Sequence, residues 1–179
     1  MGFWNNVQNA VNNAQNAASD AASYREREIS TGEYNQAGKV FRDRLPPRTN
    51  ILISNGLGAQ QRPYTVPHPT LSRKYVMHLG PDAYRNANQN NLDIILMHEL
   101  THVWQGHHGR SRWCYVCNSV INQARYGSSA YSYTLGQDWS SYNAEQQAQI
   151  VEDWYRAGMN ERDSDTRWRY IRDNIRGLR

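Results

Sequence analysis

The chain has 179 residues, 39% hydrophobic and 11% aromatic, enough for one domain with a buried core. Its formal charge is +4 with a pI near 9.2, yet lysine is confined to Lys39 and Lys74. The arginines cluster with aspartates in the last quarter and show no Arg-Gly-aromatic pattern, which argues against nucleic acid as a partner. No stretch approaches the roughly 18 apolar residues of a membrane span. "MGFWNNVQNA" offers neither a basic nor an apolar signal region, so synthesis in the cytoplasm without a Sec signal is expected.

Residues 3–29 carry Phe3, Trp4, Val7, Ala10, Val11, Ala14, Ala18 and Ala21 at helical spacing. This predicts a thin amphipathic helix over 1–29 ahead of a domain over 30–179, either a docking or delivery segment or a plain N-terminal helix packed on the domain. A second helix starts at a Ser30-Thr31 cap, runs through Tyr34, Ala37, Val40 and Phe41, and stops at "LPPR". "ILIS" at 51–54 and "KYVMHL" at 74–79 predict strands, closed by "NGLG" and by Gly80-Pro81. Between them "RPYTVPHPT" holds three prolines and reads as an extended loop rather than a central strand.

A long helix follows over about 91–106, with Leu92, Ile95, Leu96, Leu100 and Val103 as its buried side and Gly106 as its stop. "WCYVCNSVINQA" predicts another helix. Its Cys114 and Cys117 are too few for an all-cysteine zinc site and read as ordinary thiols, or as a local disulfide in an oxidising compartment. "SSAYSYTLGQDWSSY" reads as loop with short extended pieces. "NAEQQAQIVEDWYRAG" predicts a helix capped at Asn143, with Ala144, Ala148, Ile150, Val151 and Trp154 inward. An Arg-rich helix with a solvated face spans about 164–175.

The chemistry lies in "LMHELTHVWQGHH" at 96–108. Positions four apart on a helix are offset by only about 40°, so His98 and His102 project from one face. Both could reach one Zn²⁺ at about 2.0–2.1 Å. Glu99 points roughly 100° away, where a general base for a zinc-bound water belongs. With six His and seven Glu in the chain, H-E-x-x-H arises by accident in roughly 0.8% of shuffled sequences.

Three residues compete to be the third ligand. His108 falls at the last position of H-E-x-x-H-x-x-G-x-x-H, but that pattern needs glycine at 105, where this chain has Gln105. Glu145 would come from a second helix packed across the first, with Ala148 leaving room for the approach. Glu152 lies two turns further along, about 10 Å away, and suits a hydrogen bond to a ligand histidine. The reading places Glu145 as ligand.

"HELTHVWQ" followed by "NAEQQAQIVEDWY" resembles the zinc metallopeptidase toxin domains of bacterial type VI secretion effectors, including one fused to the C-terminus of a VgrG spike protein. The likeness covers about 50–155 loosely and the two motifs specifically. Related zincins carry E-x-x-A-D where this chain has Gln149 in place of the aspartate. The resemblance implies an antibacterial effector acting in the target periplasm, a secretion-apparatus component as carrier, and an immunity protein in kin cells. It also implies His98, His102 and Glu145 as metal ligands and Glu99 as the catalytic residue.

The expected fold is α+β and zincin-like, an active-site helix packed on a second ligand-bearing helix beside a small β-sheet. The expected activity is zinc-dependent hydrolysis of peptide bonds in a protein or peptide substrate. Hydrolysis of peptidoglycan peptides or amides is the alternative, followed by a non-catalytic binding module. An oxyanion donor is required as well, with His78, Tyr131, Tyr133 and Tyr142 as candidates.

Overall fold

The computed structural model describes residues 23–58, 61–89, 91–109 and 127–178. The expectations for residues 3–22 and for "WCYVCNSVINQA", with Cys114 and Cys117, lie outside the described residues. Within them the chain is mixed α+β, with five helices and a four-stranded sheet. None of these helices is long and apolar enough to cross a membrane.

The first helix prediction fails at its end. Glu26–Glu28 form strand β1, antiparallel to β2 (Ile51–Ser54). A Glu-Arg-Glu triplet has no apolar stripe to bury, whereas pairing with β2 satisfies its backbone. Helix α1 (Thr31–Phe41) begins where its cap predicts, with a capping box between Ser30 and Glu33. The Glu33 carboxylate also takes Arg27 Nη1 and Nη2 at 2.8 and 2.7 Å and the Ala87 amide at 2.9 Å. This buried ion pair ties β1, α1 and the chain entering the next long helix. Burial alone would raise the Glu33 carboxyl, but these bonds hold it down at about 2.

β3 (Tyr64–Pro67) and β4 (Tyr75–His78) complete the sheet in the order β1-β2-β4-β3, with β2 parallel to β4 and β3 antiparallel to it. The middle of the proline-rich segment, Tyr64–Pro67, is therefore a strand where a loop was expected, and as expected it is not a central one. It lies at an edge, where the missing N–H of Pro67 disturbs no inner ladder. Side chains alternate across the pleat: Ile51, Ile53, Tyr75 and Met77 enter the main core, while Leu52, Ser54, Val76 and His78 face away. Gly80-Pro81 ends the strand and at once opens a short helix, α2 (Gly80–Arg85), that periodicity had not suggested.

Helix α3 (Leu92–His108) runs two residues past Gly106, which is buried within it, and is capped at Gly109. Its Leu96, Leu100 and Val103 are fully buried, and Leu92 and Ile95 partly so. Helix α4 (Ala144–Arg156) carries a capping box from Asn143 to Gln146 and buries the five inward residues its pattern predicts. The two helices are antiparallel, since Asp93 meets Tyr155 (2.7 Å) and Gln105 meets Ala144 (2.9 Å).

The arginine-rich tail forms α5 (Thr166–Tyr170) and a π-helical turn over Ile171–Ile175. Arg167 pairs with Asp165, as a solvated face would suggest. Arg176 does the opposite. It is buried over the Trp154 and Trp168 rings and donates to the Val40 and Lys39 carbonyls. The tail is thus part of the core.

Candidate metal centre

The antiparallel α3 and α4 set the site. His98 and His102, one turn apart on α3, both aim Nε2 at Glu145 in the first turn of α4. His98 Nε2 lies 3.3 Å and His102 Nε2 3.5 Å from Glu145 Oε2. Among the described residues these three form a buried group whose ligand atoms all lie within 4.8 Å of one another, and it could hold a metal ion.

Each imidazole keeps its other nitrogen occupied. His98 Nδ1 meets Glu152 Oε2 at 3.0 Å, and His102 Nδ1 meets Gln105 Oε1 at 2.8 Å. Acceptors at Nδ1 orient both rings with Nε2 towards Glu145, the side on which a cation would bind. Arg156 pairs with the remaining oxygen of Glu152. Glu152 thus supplies a carboxylate partner for His98, while Gln149, which stands in place of the zincin aspartate, donates to Asp153. The role of Gln105 was missed; its one sequence signal is its place three residues after His102, on the same helix face.

The electrostatics follow from the carboxylates. Burial would push His98 down, yet hydrogen bonds to Glu145 and Glu152 outweigh it and raise the imidazole to about 10. His102 is raised against the same burial by Glu145 and Glu99. Burial would raise Glu145, but His102 and His98 hold it well below the usual carboxylate range. The cluster favours positive charge between the imidazoles and the carboxylate.

Glu99 sits beside this group and does not join it. Its Oε2 accepts the Thr65 hydroxyl of edge strand β3 at 2.6 Å, fixing one oxygen and the rotamer. His108, the rival third ligand, lies outside the group: its Nε2 bonds the Arg44 carbonyl at 2.7 Å and its ring approaches Trp104.

Of the four oxyanion candidates, Tyr131 alone stands at the site. It ends the 3₁₀ turn Gly127–Tyr131, with its ring centroid 5.9 Å from that of His98. Burial and the charges of Glu145 and Glu99 push its hydroxyl up to about 12, so it keeps its proton. The Arg62 cation acts the other way and offsets this rise only in part. The others are engaged elsewhere. Tyr133 donates to Asp153, Tyr142 donates to the Thr134 carbonyl, and His78 bonds Ser54 on the far face of the sheet.

Compared with family models, with curated proteins and with solved structures, the chain gives no match.

Proposed function

We propose that this chain is a zinc-dependent metallopeptidase in which His98, His102 and Glu145 hold the metal and Glu99 is the general base. The observation that carries the reading is the convergence of two Nε2 atoms on one Glu145 oxygen, at 3.3 and 3.5 Å. Ligands at 2.0–2.1 Å from a tetrahedral ion stand roughly 3.3–3.4 Å apart, so the donor set fits zinc. Two imidazoles, one carboxylate and an adjacent unligated glutamate also match a hydrolytic site better than a closed structural one. These contacts and the antiparallel ligand helices are what support a zincin-like arrangement.

When bound, zinc supplies Lewis acidity, polarising the scissile carbonyl and acidifying a water towards a pKa of about 7. Glu99 takes the proton of the attacking water as its oxygen bonds the carbonyl carbon. Thr65 holds one Glu99 oxygen and leaves the other for that proton. Tyr131 donates to the developing oxyanion. As the carbon–nitrogen bond breaks, Glu99 passes the proton to the leaving amine.

The antibacterial setting rests on the likeness of the two motifs to type VI effector toxin domains. It carries with it action in the target periplasm and neutralisation by an immunity protein. The test is purified protein, its metal content, and hydrolysis of denatured protein set against purified sacculi. We expect about one zinc per chain and cleavage of the protein substrate that Glu99→Gln abolishes while keeping the metal. Cleavage of sacculi alone would move the substrate to peptidoglycan, and full activity in Glu99→Gln would sink the reading.

A further inference from the structure

Gln105 is the residue that sets this chain apart from the glycine-bearing H-E-x-x-H-x-x-G pattern, and the structure gives it a full set of partners. Its Oε1 faces His102 Nδ1 at 2.8 Å, while its Nε2 faces the Ala144 carbonyl at 2.9 Å and Gln147 Oε1 at 3.0 Å. The direction of the amide is determined by chemistry. The Ala144 carbonyl can only accept, so the NH₂ end must face it and the oxygen must face the imidazole. A metal-bound His102 would therefore keep its proton on Nδ1 and present Nε2, the atom 3.5 Å from Glu145, as the ligand atom.

The same amide reaches the other ligand helix. Ala144 directly precedes Glu145, and Gln147 extends the chain of bonds by donating to the Trp139 and Tyr142 carbonyls. Glycine at 105 would make none of these bonds. A carboxylate there would accept from His102 but could not donate to Ala144. Only a side chain with both an acceptor and donors, three residues beyond His102, joins the two.

We infer that Gln105 is a positioning residue that orients His102 for the metal and ties it to the N-terminus of the helix bearing Glu145. The inference rests on the reading of His98, His102 and Glu145 as metal ligands, and it adds a partner to that site. Glu152 holds His98 through a charge; Gln105 holds His102 through a neutral amide that also spans the two helices.

The experiment measures zinc affinity by chelator competition and, in the zinc-loaded protein, the proton resonance of His102 Nδ1–H. Gln105→Met keeps the length and removes both functions. It should bind zinc about 10–100-fold more weakly and lose the protected Nδ1–H resonance, while the metal-free chain still melts cooperatively, lowered only by the lost bonds between the helices. Gln105→Glu restores the acceptor alone and should recover the resonance but only part of the affinity. Where Gln105→Met does not fold, Gln105→Asn, too short to reach both partners, takes its place. A wild-type chain that binds no zinc brings down the metal reading itself. Zinc-binding wild type with an unaffected Gln105→Met, or a folded Gln105→Glu as weak as Gln105→Met, overturns the inference alone.

Discussion

Two sets of histidines, one on each side of the central sheet, are buried to the same degree and meet opposite fates. His98 and His102 are 8% and 4% exposed, and His78 is 8% exposed. His98 is raised to about 10, whereas His78 is lowered to about 4. His98 faces Glu145 and Glu152. His78, in β4, has the Ser54 hydroxyl at 2.7 Å on Nδ1, the Tyr64 ring stacked at 4.1 Å and the Tyr24 ring at 6.0 Å, and the more distant Glu26 charge does not outweigh its burial. Burial favours the neutral imidazole in both places; carboxylates reverse it in one. Burial therefore does not make a cation site, and convergent acids do.

The sharpest way to break this comparison is to remove the acid on which the imidazoles converge. Glu145→Ala should weaken zinc binding by more than the roughly 100-fold upper range of an outer-shell loss, and hydrolysis should vanish with the metal. His78→Gln should keep full zinc stoichiometry. Zinc retained in the first and lost in the second, by elemental analysis, would invert the assignment.

Next in size is the effect expected of Tyr131, the proposed oxyanion donor. Tyr131→Phe should lower kcat by about 10²–10³ with zinc content intact, the usual cost of one such donor. An unchanged kcat would remove Tyr131 from the reaction.

The far histidine gives a stability effect. Its folded-state pKa lies below the unfolded value, so its contribution is full above about pH 6.5 and is lost as pH falls through 6.5 towards 4. The loss by pH 4 is on the order of 3 kcal/mol. Urea unfolding across that window should show it in wild type and not in His78→Gln, which keeps an acceptor for Ser54. Glu33, held at about 2, adds its own loss only below about pH 4.5. A flat wild-type profile from pH 6.5 to 4.5 would contradict a neutral buried His78.

Glu152→Ala should bind zinc about 10–100-fold more weakly, because His98 then loses its Nδ1 partner. The smallest effect belongs to His108→Ala, which should leave zinc untouched and cost at most about 1 kcal/mol for one exposed hydrogen bond. Zinc loss in His108→Ala would return the site to a three-histidine arrangement.

Much of this was legible in the residues. The i, i+4 histidines with Glu99 between them are a helix-face pattern, and helical geometry alone brings them together. The Ser30 and Asn143 caps and the apolar periods of α1, α3 and α4 were equally local, and these elements start where the caps predict. Gly106 misled because a buried glycine can ride inside a helix when packing outweighs its roughly 1 kcal/mol penalty. The edge strand Tyr64–Pro67 was hidden because proline statistics exclude inner strands, and only the sheet order reveals which strand is outermost.

By itself the sequence determined the kind of donors and their helical faces: two imidazoles, a glutamate between them, and two glutamates seven residues apart on another helix. It favoured Glu145 over Glu152 from the small Ala148 beside it, but both lie on one face and their distances to the imidazoles depend on where α4 crosses α3. Tertiary packing decided that register, setting Glu145 opposite both Nε2 atoms and Glu152 behind His98 Nδ1. It also selected Tyr131 from four candidates and gave Gln105 its partners. Such roles belong to distances between residues far apart in the chain, which side-chain periodicity does not encode.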